Sequence, residues 1–124
     1  MTAKALTEAE IEAMAEALRV LGHGVRLRLL ETLMLCGEMA VGELEMATGV
    51  GQPGLSQQLA ILRKAEMVNT RRAAKQVYYS LTADALKAVA HLVGRLAGLS
   101  AEMVAPRAAP SSARGSAVVF PRIL

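Results

Sequence analysis

A proline, a glycine and a row of amides open one helix-forming segment, GQPGLSQQLAILRKAEMV from Gly51 to Val68, and few folds accommodate such a stretch. Proline lacks an N–H and its ring fixes φ. It therefore suits the first turn of a helix, where an N–H has no intrahelical partner, and the expectation is Pro53 at the first helical position with Gln52 beside the cap. From there Leu55, Leu59 and Leu62 recur at helical spacing on one stripe that calls for burial, while Ser56, Gln57, Gln58 and Arg63 fall off it. The second face carries chemistry suited to a DNA major groove. Gln pairs bidentately with adenine, Ser bonds several bases or a phosphate, and Arg at a helix end holds backbone phosphates.

The segments around this helix read as a single helical domain. Thr7 followed by Glu10 forms a capping-box pattern, and Ile11, Met14, Ala15, Leu18 and Leu21 then recur at helical spacing until Gly22. Gly24 restarts the chain into a second helix marked by Val25, Leu29, Leu30, Leu33 and Met34, with Arg26 and Arg28 on its flanks, ending near Gly37. Being apolar nearly all round, it is expected at the centre of the core. Val41 to Thr48 reads as a short third helix with Leu44 and Ala47 inward, closed by Gly49, Val50 and Gly51. After the reading helix, Met67 to Arg71 and Gln76 to Leu81 read as extended runs joined by the basic turn Arg72 to Lys75, a β-hairpin by composition and length. Asp84 opens a last helix whose Leu86, Val89, Leu92 or Val93, Leu96 and Leu99 form a long apolar seam. Beyond Ser100 the Pro, Ser and Gly content marks a flexible tail, so the expected division is a domain over residues 5–100 and a tail over 101–124.

Composition sets bounds on this reading. A chain of 124 residues has room for one ordinary domain. Its 53% hydrophobic content includes only 2% aromatic residues, with seven Met and no Trp, so the core is built from Leu, Ala, Val and Met, which favour helices. The net charge of +3 says little by itself. Its distribution says more: between residues 61 and 80, Arg63, Lys64, Arg71, Arg72 and Lys75 face the single acid Glu66, whereas Glu8, Glu10, Glu12 and Glu16 dominate the beginning of the chain. One basic pole suits a nucleic-acid surface. A single Cys excludes an intramolecular disulfide, and the absence of a signal-like opening or a bilayer-length apolar run leads to the expectation of a soluble, cytoplasmic protein with no membrane contact.

Three helices, a reading helix, a hairpin and a last helix follow the order of a winged helix-turn-helix, mainly α with a small β-hairpin wing. The pieces RLRLL at Arg26, GEMAVGEL at Gly37, QPGLSQQLAILRKAEMV at Gln52 and KQVYYSL at Lys75 together resemble the ArsR/SmtB family of bacterial transcriptional repressors, over about residues 20 to 82. The resemblance implies a homodimer built through the first and last helices, a pseudo-palindromic double-stranded DNA operator and release by an effector. The apolar seams of those two helices independently favour self-association over exposure to water, with packing on the domain's own core as the other reading. The residues expected at DNA are Gln52, Gly54, Ser56, Gln57, Gln58 and Arg63 from the reading helix and Arg71, Arg72, Lys75 and Gln76 from the wing. One departure from the family pattern is the wing tip, Ala73 and Ala74, where a glycine-containing turn is common.

The positions at which family members hold metals are poorly furnished here. Ala40 and Gly42 stand where the third-helix thiolate site has cysteines, and the last helix offers only Asp84 and His91. His23 reads as a surface or capping histidine, so neither a metal nor a cofactor is expected. Members that sense persulfide or oxidants use two cysteines, whereas this chain has Cys36 alone. Its plainer role is a buried small hydrophobe; an exposed Cys36 with a lowered pKa would be open to oxidation or to bridging between subunits. The chain lacks a glycine-rich phosphate loop and metal-hydrolase spacing, so no enzyme is expected. The alternative to a DNA-binding regulator is a winged-helix protein-interaction module, for which the cationic hairpin has little use.

Overall fold

In the computed structural model, which describes residues 4–99, the elements run α1 (Glu8–Leu21), α2 (Gly24–Cys36), β1 (Met39–Ala40), α3 (Val41–Thr48), α4 (Gly54–Lys64), β2 (Val68–Ala73), β3 (Gln76–Leu81) and α5 (Ala83–Leu96). The expected tail over 101–124 lies outside the described residues. The chain divides into two compact units, Met1–Ala90 and His91–Leu124.

Local chemistry sets the helix ends. At α1 the capping box closes as expected, with Glu10 N–H donating to Thr7 Oγ1 at 3.1 Å and Thr7 N–H to Glu10 Oε1 at 2.9 Å. α3 is entered by Ala40 N–H donating to Glu43 Oε1 at 2.8 Å, and it ends at Gly49, whose φ of 77° only glycine adopts freely. α4 starts one residue later than expected: Pro53 is its N-cap and Gly54 its first residue. The carbonyl of Pro53 already accepts from Gln57 N–H at 3.1 Å, so a residue without an N–H is tolerated there as it would be at the first helical position. Past its end, Met67 N–H reaches back to Leu62 O at 3.0 Å in a Schellman-type closure that places Glu66 at φ 60°.

The core in the first unit joins Val20 of α1, Leu29, Leu30 and Leu33 of α2, Met39 of β1, Leu44 of α3, Leu55, Leu59 and Leu62 of α4, and Met67 and Val68 at the start of the wing. All three leucines of the α4 stripe are at most 1% exposed. Two expectations need correction. Ala47 is exposed rather than inward, and α3 contributes Val41 beside Leu44 instead. The second helix is not buried all round, since Leu27, Met34 and Leu35 stand open at 50%, 61% and 71% exposure. α1 likewise turns Ala17, Val20 and Leu21 to the core and leaves Ile11 and Leu18 half-exposed.

The sheet has the order β1-β3-β2, all antiparallel. The hairpin partner β2 pairs from Val68 with Leu81 to Ala73 with Gln76, so only Ala74 and Lys75 form the turn and Arg72 belongs to the strand. Both turn residues have positive φ, 50° and 69°, which is the two-residue type I′ geometry that matches strand twist without its customary glycine. The third strand, Met39 and Ala40 against Tyr79 and Tyr78, goes unseen in the sequence because two residues carry no periodicity. It ties the front of the helix-turn-helix to the wing.

Candidate nucleic-acid interface

The helix-turn-helix consists of α3, the turn Gly49 to Pro53, and α4. Thr48 stabilises the turn through its hydroxyl, which donates to Leu44 O at 2.7 Å and accepts from Val50 N–H at 3.2 Å. With its leucine stripe buried, α4 presents Ser56, Gln57 and Arg63 outward and leaves Gln58 half-buried. Gly54, the first residue of the helix, has open space where a Cβ would stand.

The four polar residues at the front of α4 are not equivalent. Gln52 is engaged with Ser56: its Oε1 accepts both Ser56 N–H at 3.1 Å and Ser56 Oγ–H at 2.7 Å, and so takes the place of a side-chain cap. Gln58 Oε1 accepts from Arg26 Nη1 at 2.8 Å, which turns this amide toward α2. Gln57 alone of these four makes no side-chain hydrogen bond among the described residues, and it is exposed.

The wing cations divide in the same way. Arg71 and Arg72 are neighbours on a strand and so project to opposite faces. Arg71 is bound bidentately by Glu38, Nε to Oε2 at 2.7 Å and Nη2 to Oε1 at 2.8 Å, and its guanidinium lies 5.0 Å from the centre of the Tyr78 ring. The fork-to-fork geometry is the strong form of an Arg–carboxylate contact. Hydrogen bonding from Arg71 is the main cause that holds the Glu38 carboxyl below its ordinary range, and Glu38 raises Arg71 in return. The pair reaches from the residue before β1 across the central strand to β2. Arg63, Arg72 and Lys75 are exposed and make no ion pair among the described residues, and Gln76 is exposed beside the turn.

With this geometry in place, comparison with known proteins decides the family. A family model described as bacterial regulatory protein, arsR family, matches residues 23–70. The transcriptional activator HlyU of Vibrio cholerae is 39% identical over 79 residues, covering 64% of this chain and 72% of HlyU. The chain belongs to the ArsR family. It is also 51% identical over 75 residues to the biofilm growth-associated repressor of Xylella fastidiosa; that match covers 60% of this chain and 65% of the repressor, less than two thirds of the relative's length. Among solved structures, NolR from Sinorhizobium fredii aligns with a TM-score of 0.61 at 33% identity, covering 79% of this chain and 100% of NolR. The relatives of this ArsR-family chain are transcriptional regulators, not enzymes.

Other expected features fall as follows. Cys36 is exposed at the end of α2, not buried, because the side of α2 carrying Met34 and Leu35 is left open. His23 is the N-cap residue of α2 and makes no side-chain cap bond, and His91 is exposed on α5. Among the described residues no helix is long and apolar enough to cross a membrane. The sequence reading missed Glu38 and Arg26, because each acts on a partner more than thirty positions away: Arg71 and Gln58. No local pattern marks such pairs.

Proposed function

We propose that this ArsR-family chain is a sequence-specific, cytoplasmic DNA-binding regulator that works as a homodimer, represses from a pseudo-palindromic operator and is released by an effector. The observation that carries this reading is the unengaged Gln57 amide on the exposed face of α4, on a chain whose Arg63, Arg72 and Lys75 are exposed and make no ion pair among the described residues. Gln57 would read a base edge in the major groove, preferably adenine, while the three cations and Gln76 hold phosphates on either side. Gln52, Ser56 and Gly54 shape the front of the helix, where the N–H and O–H of Ser56 are both given to Gln52 and its hydroxyl oxygen is left to accept from a base.

The apolar faces left open on α1, at Ile11 and Leu18, and on α5, at Val93 and Leu96, would be covered by a second copy. A two-fold pair would then set its reader helices about one DNA turn apart, roughly 34 Å. Fluorescence anisotropy on the duplex upstream of the protein's own gene, against random duplex of equal length, tests the reading. A preference that survives at physiological salt is the expected result, and equal affinity for the two duplexes refutes it.

A further inference from the structure

The least expected connection in the molecule is made by Arg26. Among the described residues its guanidinium meets no carboxylate. Instead Nε donates to Val20 O at 2.6 Å, Nη2 to Arg19 O at 3.4 Å and Nη1 to Gln58 Oε1 at 2.8 Å. The first two acceptors belong to the last turn of α1, where carbonyls lack intrahelical partners and carry the negative end of the helix dipole. The third belongs to α4. One rigid, planar, permanently charged fork thus joins the end of α1 to the reader helix, from a half-buried position on α2.

Elsewhere α1 and α4 are held apart. A cavity of ≈ 460 Å³ lies between them, lined by Glu16 and Val20 on one side and Ile61, Lys64 and Ala65 on the other. The buried leucine stripe seats α4 on the core, and on the side facing α1 the Arg26 fork is the hydrogen-bonded link between the two helices. Small rotations matter. A side-chain tip lies roughly 5–6 Å from a helix axis, so a turn of about 10° moves it ~1 Å, enough to spoil a hydrogen bond to a base edge. Gln57 adjoins Gln58 in the chain, so the residue proposed to read DNA is aimed by the residue that Arg26 holds.

We infer that Arg26 and Gln58 form a positioning clamp that sets the rotation of α4 against α1, and that Gln58 serves this clamp rather than a base. This deepens the DNA-binding reading and rests on it. It also gives α1, the proposed dimer helix, a direct mechanical line to the reader helix.

The test combines a DNA readout with one that needs no DNA. In ¹⁵N NMR of the free protein, Gln58→Ala shifts the Arg26 Nη1–H resonances and speeds their solvent exchange, whereas Gln58→Glu, which keeps an acceptor, leaves that exchange near the wild-type rate. An Arg26 resonance that Gln58→Ala leaves unmoved overturns the clamp whether or not the protein binds DNA. In operator titrations with each base pair replaced in turn, Gln58→Ala lowers affinity for every variant by a common factor of about ten, the scale of a lost hydrogen bond to a charged group. Arg26→Gln combined with Gln58→Ala loses no more than either change alone. A Gln58→Ala protein that loses preference at one base pair only, or singles whose effects multiply, overturns the clamp. Wild type without operator preference refutes the regulator reading instead, and leaves the NMR result to judge the clamp.

Discussion

Glu38, the residue before β1, pairs with Arg71 of the wing, and replacing it should change how DNA binding depends on salt. The carboxylate occupies two N–H donors of the Arg71 fork, and we take this arginine to be withheld from DNA in the wild type. Of the four cations assigned to DNA, the three that make no ion pair among the described residues are Arg63, Arg72 and Lys75. A dimer using all of them makes about six phosphate contacts, and at about 0.9 per contact the logarithm of affinity falls against the logarithm of salt with a slope of roughly −5.4. Glu38→Gln keeps the shape of the side chain but removes its charge, which frees Arg71 in both protomers and steepens the slope to roughly −7.2. Between 50 and 200 mM salt that difference amounts to about a twelvefold larger loss of affinity, with the mutant binding more tightly at the low end. Anisotropy titrations at four or five salt concentrations on one duplex measure it. Arg71→Ala in the wild-type background should leave the slope unchanged. If Arg71→Ala instead flattens the slope by about 1.8, the arginine already sits on phosphate in the complex and the reasoning fails.

Further outcomes follow from single residues. Glu66 sits at φ 60° in the closure of α4, where a Cβ is strained by roughly 1–2 kcal/mol and the extra chain entropy of glycine offsets only part of it, so Glu66→Gly should raise stability by ~1 kcal/mol. Urea unfolding reads this as a higher midpoint at unchanged m. Gln57→Ala should cost about 1–3 kcal/mol on the cognate operator and leave random duplex binding nearly untouched; equal losses on both would remove Gln57 from base reading. The Glu38 carboxyl is held below its ordinary 4.5 by Arg71, so the stabilising contribution of this pair is present above 4.5 and disappears as pH falls through the lower folded-state value. An NMR titration of the Glu38 side chain should find its midpoint below 4.5 in the wild type and back near 4.5 in Arg71→Ala.

What the sequence determined by itself is everything carried by short-range pattern. The Thr7 and Glu10 capping box placed the start of α1, the bounds of α3 were readable from Val41 to Thr48, and the spacing of Leu55, Leu59 and Leu62 announced a buried stripe that is fully buried. Helical period, caps and hairpin composition act within a few residues, so they survive translation into structure. The same locality made the family run legible, because its motifs are those elements in order.

Tertiary structure decided which of the legible side chains are available. Gln57 and Gln58 are adjacent and chemically identical, yet one faces solvent unengaged while the other is held by an arginine 32 positions earlier. Arg71 and Arg72 are equally basic and both exposed, yet strand alternation gives Arg71 to Glu38, 33 positions away, and leaves Arg72 with no ion pair among the described residues. Cys36 and Ala47 sit on helices whose buried face depends on what packs against them, and the strand at Met39 exists only because Tyr78 and Tyr79 lie alongside. The physical reason is common to all of these. A side chain's type and helical phase are local properties, but its hydrogen-bond partner and its exposure are set by segments that only folding brings into reach.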